Sequence, residues 1–256
     1  MKVTLVPSSV SGRGKQEPQF LTSLLINDTL AVDGGCLGLF GTTQEQAKIK
    51  HVLISHTHID HIGSLPIFVE NAYEARRECV TIHGSEGVLD CLQTDVFNDR
   101  VWPDLLALST KEAPFLKLAT LEPRKMIELE NLRITPIPVN HVVPTLGFII
   151  EDSDAAVVVV SDTGPTDEIW KYASAAPKLK AVFLEATFPN SMVALAEVSK
   201  HLTPSLFAAE IQKLKRRAAV IAVHIKARYW SQVVRELQAL GIPGLEIGQF
   251  AQPYSF

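Results

Sequence analysis

The chain has 256 residues, of which 46% are hydrophobic and 20% are charged, so it is long and apolar enough to bury a large core. Its net charge of −4 excludes a global basic field that would recruit nucleic acid. The three cysteines are far apart and form no CxxC pair, which indicates a reducing compartment rather than a disulfide framework. The chain opens on a strand-like segment and contains no long apolar span, so we expect a cytoplasmic protein without membrane insertion.

Runs of apolar and β-branched residues predict strands along most of the chain. In chain order they fall at 2–6, 21–26, 29–33, 51–54, 80–83, 132–139, 146–151, 155–160, 180–184, 218–223 and 244–248. Helical patterns fit residues 64–76, 85–96, 166–174, 203–215 and 230–240. Residues 97–125, rich in proline and aromatic residues, are predicted to form an irregular loop over the functional site.

The order of these elements predicts an α/β fold. The first half is rich in strands and ends on helices, and the second half repeats this order. Two mixed sheets packed face to face, with helices on both outer faces, satisfy that distribution as a four-layer αββα sandwich. No repeat or linker divides the chain, so we expect residues 1–256 to form a single domain.

The most informative segment is residues 51–63, where a short apolar run delivers three histidines and an aspartate into a turn. Side chains alternate along an extended segment, so His56 and His58 point the same way. Asp60 and His61 lie beyond the strand end and can face a second point nearby. Imidazole and carboxylate groups suit Zn²⁺, with Mn²⁺ or Fe²⁺ as substitutes. The segment therefore predicts ligands for two adjacent metal ions, and a polar loop that happens to be histidine-rich is the alternative.

Two metal ions need more ligands than one segment supplies. His141, Asp162 and His224 each follow a predicted apolar strand, as the first cluster does, and strand ends that meet at one edge of a sheet present their loops to a common ligand. The alternatives are a helix N-cap for Asp162 and ordinary strand-end polar residues for the two histidines. We predict two Zn²⁺ ions per chain with these ligands: His56, His58 and His141 on one ion, Asp60, His61 and His224 on the other, and Asp162 on both.

Asp33 follows the apolar pair Ala31-Val32 and precedes two glycines. Its carboxylate can accept a hydrogen bond from a ligating histidine, or it can support the loop that carries the cluster. A simple Asp-Gly turn is the alternative for this residue.

In chain order, Asp33, the His-Thr-His-Ile-Asp-His run from His56, His141, Asp162 and His224 resemble the metallo-β-lactamase superfamily, whose fold is an αββα sandwich with a dinuclear site. Within that superfamily, residues 56–67 and the segment Val-Phe-Asn-Asp-Arg-Val-Trp-Pro-Asp-Leu at 96–105 resemble the class II cyclic-nucleotide phosphodiesterases. Three segments are shared with that class and with the ribonuclease Z family: Leu184-Glu-Ala-Thr-Phe188, His201-Leu-Thr-Pro204 and His224-Ile-Lys-Ala-Arg-Tyr229.

The resemblance implies hydrolysis of 3′,5′-cyclic nucleotides, cyclic AMP or cyclic GMP, to 5′-monophosphates by a hydroxide that bridges two cations. It also implies that His201, oriented by Glu185, protonates the leaving ester oxygen, because a histidine pKa lies near the working pH. A surface residue that opens a helix is the alternative for His201.

The predicted catalytic residues are Asp60, Glu185 and His201. The predicted nucleotide pocket comprises Phe97, Asn98, Trp102, Arg228 and Tyr229. Core or dimer contacts are the alternative for the two rings Phe97 and Trp102, and simple solvation is the alternative for Arg228.

Two other functions stay open. A ribonuclease Z-like tRNA 3′ endonuclease would need a basic arm that grips tRNA, and the sequence has no glycine- and lysine-rich insertion of that kind. A non-catalytic binding protein would keep the fold and lose the chemistry. The expected partner is therefore a small cyclic nucleotide rather than a membrane or a nucleic acid, and a homodimer is left open.

Overall fold

A computed structural model describes residues 1–8, 18–74 and 78–256. Within these residues the chain forms fourteen strands and eight α-helices, joined by loops, short 3-10 turns and one π turn. The strands are β1 (Lys2–Leu5), β2 (Leu24–Ile26), β3 (Leu30–Val32), β4 (His51–Leu53), β5 (Val80–Gly84), β6 (Leu116–Thr120), β7 (Ile127–Leu129), β8 (Leu132–Val139), β9 (Thr145–Glu151), β10 (Ala156–Val159), β11 (Leu179–Glu185), β12 (Ala219–Val223), β13 (Leu245–Ile247) and β14 (Pro253–Ser255). The helices are α1 (Thr43–Gln46), α2 (Ile59–Ile62), α3 (Leu65–Ala72), α4 (Glu86–Cys91), α5 (Glu168–Ala175), α6 (Val193–Ser199), α7 (Pro204–Ile211) and α8 (Trp230–Ala239).

The described strands sort into two mixed sheets of seven strands each. The first sheet has the order β14-β1-β2-β3-β4-β5-β6, and the second has the order β13-β12-β11-β10-β9-β8-β7. Strands β3 to β6 of the first sheet and β10 to β13 of the second run parallel. The other neighbouring pairs are antiparallel. Each parallel set directs its carboxyl ends to one edge, where loops can carry a functional site.

An apolar layer lies between the two sheets. Val157 of β10 and Phe183 of β11 enter it from the second sheet, and Leu53 of β4 enters it from the first. The alternate residues of β10, Ala156 and Val158, belong to a different apolar layer on the outer face. Because β10 is buried on both faces, its sequence is apolar at every position.

Helices cover the outer face of each sheet. Trp170 of α5 and Phe207 of α7 pack on the second sheet, and Phe68 of α3 packs on the first. A Cβ at Gly147 would stand 2.5 Å from Cδ1 of Ile169 in helix α5 and 2.8 Å from the backbone carbonyl oxygen of Val160, so glycine is needed at this position of β9. Three apolar layers between four layers of backbone confirm the predicted αββα sandwich with mixed sheets.

The prediction of an irregular loop over residues 97–125 was wrong in part. Residues 116–120 form the edge strand β6, which pairs in parallel with β5. The alternation of Leu116, Lys117 and Leu118 is typical of a strand with one buried face, and the proline- and aromatic-rich residues before it obscured this pattern. Residues 97–115 do form turns and bends.

The other differences concern short elements and helix ends. Strands β7 and β14 and helices α1 and α6 were not predicted, because elements of three to seven residues show too little periodicity. The predicted helix 203–215 ends at Ile211. The predicted helix 64–76 ends at Ala72, and its last two residues lie outside the described ones.

Candidate metal centre

The ends of five strands, drawn from both sheets, carry polar side chains to one edge of the sandwich. Asp33 follows β3, His56 follows β4, His141 follows β8, Asp162 follows β10 and His224 follows β12. A backbone hydrogen bond between the two sheets, 3.1 Å from a β9 amide to the carbonyl of residue 55, ties these loops together. The result is one cluster built from residues far apart in the sequence.

The first donor group consists of His56, His58, His141 and Asp162, whose ligand atoms all lie within 4.8 Å of one another. Nδ1 of His58 is 3.0 Å from Nε2 of His56 and 3.2 Å from Nε2 of His141. Nε2 of His56 is 3.8 Å from Oδ2 of Asp162. Ligands that bind zinc tetrahedrally at about 2.0–2.1 Å stand roughly 3.3 Å apart, so these separations fit a single ion.

The second donor group consists of Asp60, His61 and His224, again with ligand atoms within 4.8 Å of one another. Nε2 of His224 is 3.3 Å from Oδ2 of Asp60. Asp162 lies between the two groups, because its Oδ2 is 3.3 Å from Nε2 of His61 and its Oδ1 is 3.6 Å from Nε2 of His224. A carboxylate in this position can serve donors of both groups at once.

Helix α2 explains how a single segment contributes to both groups. His58 caps this helix with an extended backbone, φ −61° and ψ 145°, so the chain is extended up to His58 and helical after it. Asp60 and His61 therefore leave the chain in a different direction from His56 and His58. The turn that the sequence pattern indicated is the first turn of a helix.

Most of the rings have a fixed partner on the nitrogen that faces away from the donor groups. His56 Nδ1 contacts Ser55 Oγ at 3.0 Å, His61 Nδ1 contacts Asp33 Oδ2 at 2.8 Å, His141 Nδ1 contacts the Lys200 carbonyl at 3.1 Å, and His224 Nδ1 contacts Thr187 Oγ1 at 3.0 Å. Such contacts orient ligating histidines and leave Nε2 for the ion. Nε2 of His61 is buried and makes no hydrogen bond within the described part of the chain, which a metal ion would remedy.

Asp33 performs both of the tasks considered for it from the sequence. Besides the contact with His61, its carboxylate accepts hydrogen bonds from the Ser55 amide at 2.8 Å and from the Ser55 hydroxyl at 3.0 Å. The carboxylate is buried, and it thereby fixes the loop that carries the histidines relative to β3. Its backbone is left-handed, with φ 62°, a conformation that aspartate tolerates better than most residues.

Electrostatics favour neutral imidazoles in the first donor group. Burial, assisted by the neighbouring histidines, lowers the pKa of His56 to about 2. Burial also lowers the pKa of His58 and of His141. A neutral imidazole keeps a lone pair for a metal ion, so this group is prepared to bind a cation.

The carboxylates of Asp162 and Asp60 supply negative charge to the centre. Burial alone would raise the pKa of Asp162, but His224 and His61 hold it well below its ordinary value. Asp60 behaves alike: burial opposes ionisation, and the hydrogen bond from His224 lowers its pKa. For His61, burial lowers the pKa, while Asp162 and Asp33 on either side raise it well above the ordinary value. The ionised carboxylates thus attract positive charge to this point.

His201 and Glu185 form a buried pair beside the two donor groups. Nδ1 of His201 is 2.8 Å from Oε1 of Glu185. Glu185 also accepts from the amides of Thr163 at 2.8 Å and Leu202 at 3.1 Å, and from the Thr187 hydroxyl. Burial opposes protonation of His201, but the Glu185 carboxylate outweighs it and raises the pKa of His201. Because Nδ1 is engaged, the proton available to a ligand is the one on Nε2.

His201 also lies close to the donors themselves. Nδ1 of His201 is 4.0 Å from Oδ2 of Asp162, and its ring stacks on that of His224 with 5.8 Å between centroids. Asp162, His201 and His224 could thus hold a cation together. The shorter contact with Glu185 favours a role for His201 as proton donor rather than ligand.

The residues predicted to form a nucleotide pocket around residue 100 have structural contacts. Phe97 is 1% exposed and packs in the apolar layer between the first sheet and its helices, which is the core contact named as its alternative. Contact of its ring with a nucleotide stays a prediction. Asn98 closes a turn, with its Oδ1 accepting from the amides of Arg100 and Val101 at 3.0 and 2.9 Å. Trp102 packs against the same layer as Phe97. These residues form a structural turn.

Tyr229 and Arg228 lie nearer to the centre. The Tyr229 ring is 6.1 Å from that of Phe188, and Phe188 is 5.7 Å from the ring of His201. The Arg228 guanidinium lies 5.8 Å from the Tyr229 ring centroid and is exposed. Contact of Arg228 and Tyr229 with a substrate stays a prediction.

Sequence reasoning gave no role to two residues that touch this centre. Lys226 Nζ lies 3.4 Å from Oδ2 of Asp60, and the Thr187 hydroxyl contacts both Glu185 and His224. For Thr187 a signal was present, because it follows Glu185 by two positions, the spacing that places side chains on the same side of an extended segment. For Lys226 this spacing gives no signal, because the left-handed backbone of His224, with φ 51°, interrupts the extended chain.

Solved structures share this architecture. The crystal structure of unliganded yeast PDE1 superimposes with a TM-score of 0.76 at 20% identity, covering 98% of this chain and 97% of that chain. YhfI from Bacillus subtilis, described as a metallo-beta-lactamase fold protein, superimposes with a TM-score of 0.73 at 16% identity, covering 99% of this chain and 98% of that one. The chain therefore has the metallo-β-lactamase fold.

Sequence comparison assigns the chain to one family within this fold. The model of the class-II cAMP phosphodiesterases matches residues 40–227, and the chain belongs to this family. A probable 3′,5′-cyclic-nucleotide phosphodiesterase of Yersinia pestis is 26% identical over 215 residues, which are 74% of this chain and 61% of that protein. A ribonuclease Z of Limosilactobacillus fermentum is 26% identical over 239 residues, 77% of this chain and 76% of that protein.

The chain is shorter than its phosphodiesterase relatives. It spans 61% of the Yersinia protein and 51% of 3′,5′-cyclic-nucleotide phosphodiesterase 1 of Saccharomyces cerevisiae. In the described ranges, no helix is both long and apolar enough to cross a membrane.

Proposed function

We propose that residues 1–256 form one hydrolase domain that hydrolyses 3′,5′-cyclic nucleotides, cyclic AMP or cyclic GMP, to 5′-monophosphates with the help of two divalent metal ions. Membership of the class-II phosphodiesterase family supports the reaction type. The observation that carries the proposal is the arrangement of Asp162 between two sets of donors, with the His201–Glu185 pair beside them. This combination provides what phosphodiester hydrolysis requires: charge neutralisation at phosphorus and a proton for the leaving oxygen.

The donor chemistry supports Zn²⁺, with Mn²⁺ or Fe²⁺ as substitutes. In this proposal each donor group would hold one ion, and the carboxylate of Asp162 would serve both. The spacing of the nitrogens, the neutral imidazoles of the first group and the orphaned Nε2 of His61 all fit such ions.

Bound divalent ions supply Lewis acidity, which lowers the pKa of water and offsets charge on the phosphate oxygens. The side chains of the protein supply the charge, the orientation and the proton that the reaction also needs. Asp162 and Asp60 bring negative charge to the centre, while Glu185 holds the imidazole of His201 in a fixed orientation. His201 then protonates the departing 3′ oxygen from Nε2, because its Nδ1 is occupied by Glu185.

An assay on purified protein tests the proposal. Protein loaded in turn with Zn²⁺ or Mn²⁺ should convert cyclic AMP or cyclic GMP to the 5′-monophosphate, and metal analysis should return two ions per chain. If the protein binds no metal and releases no monophosphate with either ion, it is better described as a non-catalytic binding protein of this fold.

A tRNA 3′ endonuclease activity is the second candidate. It is favoured by the match to ribonuclease Z of Limosilactobacillus fermentum, which covers 77% of this chain and 76% of that protein. The net charge of −4 opposes it, because tRNA binding draws on positive charge. A 3′-extended tRNA precursor assayed beside cyclic AMP separates the two, and cleavage of the RNA alone would overturn the phosphodiesterase proposal.

The cytoplasmic location and the homodimer stay predictions. All three cysteines are free, which is compatible with a reducing compartment. Sedimentation of the purified protein measures the oligomeric state.

A further inference from the structure

An apolar recess opens beside the second donor group. It lies between residues 19–24, which lead into β2, and the ends of β12 and β13. Leu21, Trp230, Ile247 and Phe250 contribute to its lining. The recess is open to solvent on one side.

The recess is continuous with the metal centre. Asp60, His224 and Lys226 line it together with the apolar residues. An isolated parallel bridge between Gln19 and Lys226 fixes residues 19–24 alongside the end of β12. A molecule in the recess would therefore touch the second donor group directly.

Lys226 places a cation at this junction. Its Nζ is 3.4 Å from Oδ2 of Asp60, and 44% of its side chain is exposed. The Lys226 amide donates to the Thr187 carbonyl at 3.3 Å, which anchors the backbone. When a metal ion occupies Asp60, the ammonium group is available to another anion beside it.

An exposed apolar side chain lies at the recess: Phe20, which lines it, is 65% exposed. A large apolar surface next to a fixed cation matches a ligand that carries an anionic group beside a flat apolar one. A nucleotide has this composition, with a phosphate attached through a sugar to an aromatic base.

We propose that Lys226 binds a phosphate oxygen of the substrate and that Phe20, Leu21 and Trp230 hold the base of the same nucleotide. This assignment rests on the proposed hydrolysis of cyclic nucleotides. It moves the base away from the turn that contains Trp102, where the neighbouring ring of Phe97 is 1% exposed.

Binding of the product tests the assignment without relying on turnover. Calorimetric titrations of the Zn²⁺-loaded protein with 5′-AMP and with inorganic phosphate separate the two parts of the recess. Trp230→Ala should weaken 5′-AMP binding about tenfold or more and leave phosphate binding unchanged, because only the stacking surface is lost. Lys226→Ala should weaken both ligands, and Lys226→Arg should restore most of the loss.

Two control variants remove side chains of the same kinds, one apolar and one cationic, at exposed positions outside the recess. Met126→Ala removes an exposed apolar side chain and Lys180→Ala an exposed cation, both away from the recess, and neither should change the binding of 5′-AMP. Leu21→Ala and Trp230→Phe serve as milder replacements if Trp230→Ala does not fold. Both should weaken 5′-AMP binding, the second by less.

The outcomes distinguish this assignment from the function on which it rests. If Trp102→Ala weakens 5′-AMP binding while Trp230→Ala and Leu21→Ala do not, the base binds at the turn and the recess assignment is overturned. If cyclic AMP is hydrolysed and every recess variant binds 5′-AMP like the wild type, the recess assignment alone fails. A wild-type protein that neither binds 5′-AMP nor hydrolyses cyclic AMP would overturn the proposed function itself.

Discussion

Replacing Thr187 with valine tests whether one hydroxyl links the proton-donating pair to the metal centre. The Thr187 side chain is fully buried. Its hydroxyl donates to the Glu185 carboxylate, and its oxygen lies 3.0 Å from Nδ1 of His224, from which it can accept. This pair of contacts keeps the proton of His224 on Nδ1 and leaves Nε2 for the second donor group.

Valine keeps the shape of threonine and removes the contacts of this hydroxyl with Glu185, with Nδ1 of His224 and with the His224 carbonyl. Loss of the partner of a ligating histidine lowers metal affinity by about 10- to 100-fold, which corresponds to roughly 1.4–2.7 kcal/mol. The free energy of unfolding should also fall by about 1–3 kcal/mol, because Nδ1 of His224 loses its acceptor in a confined site. Thr187→Ser keeps the hydroxyl and should restore most of both quantities.

Calorimetric titration of Zn²⁺ into chelator-stripped protein measures the first quantity, and urea unfolding of the same stripped protein measures the second. Only the site that contains His224 should weaken, so a biphasic isotherm should lose affinity in one phase. The reasoning is refuted if Thr187→Val binds both ions as tightly as the wild type, or if Thr187→Ser is as impaired as the valine variant.

Three further changes probe other parts of the molecule. Asp162→Ala should abolish hydrolysis of cyclic AMP while circular dichroism reports a folded protein, and retained turnover would contradict a shared bridge. His201→Ala should lower kcat by about 10²- to 10⁴-fold with both metal ions retained, whereas metal loss would make His201 a ligand. His83 is buried, and burial and the charge of His51 lower its pKa from 6.5 to about 4. As the pH falls below 6.5, the unfolded chain binds this proton before the folded chain does. The free energy of unfolding is therefore highest above pH 6.5 and falls by up to about 3 kcal/mol as the pH approaches 4. Urea unfolding across that range should show a smaller loss for His83→Gln, and an equal loss would assign the pH dependence to other groups.

The sequence predicted the parts of the site that follow from strand periodicity. His141, Asp162 and His224 were recognised because each follows an apolar strand, and strands of this length show their pattern in the sequence. The His56–His61 cluster needed only the alternation of side chains and the bend after it. The αββα sandwich followed from the order of the same elements.

The surroundings of the site could not be predicted in this way, because they depend on contacts between distant segments. Lys226 joins the centre through Asp60, 166 positions earlier in the chain. The apolar recess exists only because residues 19–24 lie beside β12, an arrangement fixed by tertiary pairing. The motif around Phe97 suggested a pocket, whereas its ring packs in an apolar layer. Motif likeness indicates which residues occur together, and packing decides where each of them points.

The backbone turns that orient the proposed ligands are a further part of the site that sequence patterns could not predict. Four residues at the metal centre have left-handed backbone conformations: Asp33 at φ 62°, Ser161 at φ 62°, Lys200 at φ 52° and His224 at φ 51°. Each conformation costs roughly 1–2 kcal/mol for a residue with a side chain, so local preference opposes the observed geometry. Ser161 directly precedes Asp162, and Lys200 directly precedes His201, so these turns set the direction of two side chains of the candidate site. Contacts such as those of Asp33 with Ser55 and His61 therefore stabilise the left-handed conformation from outside the turn. The hydrogen bonds around the centre thus hold these turns in place before any ion is bound.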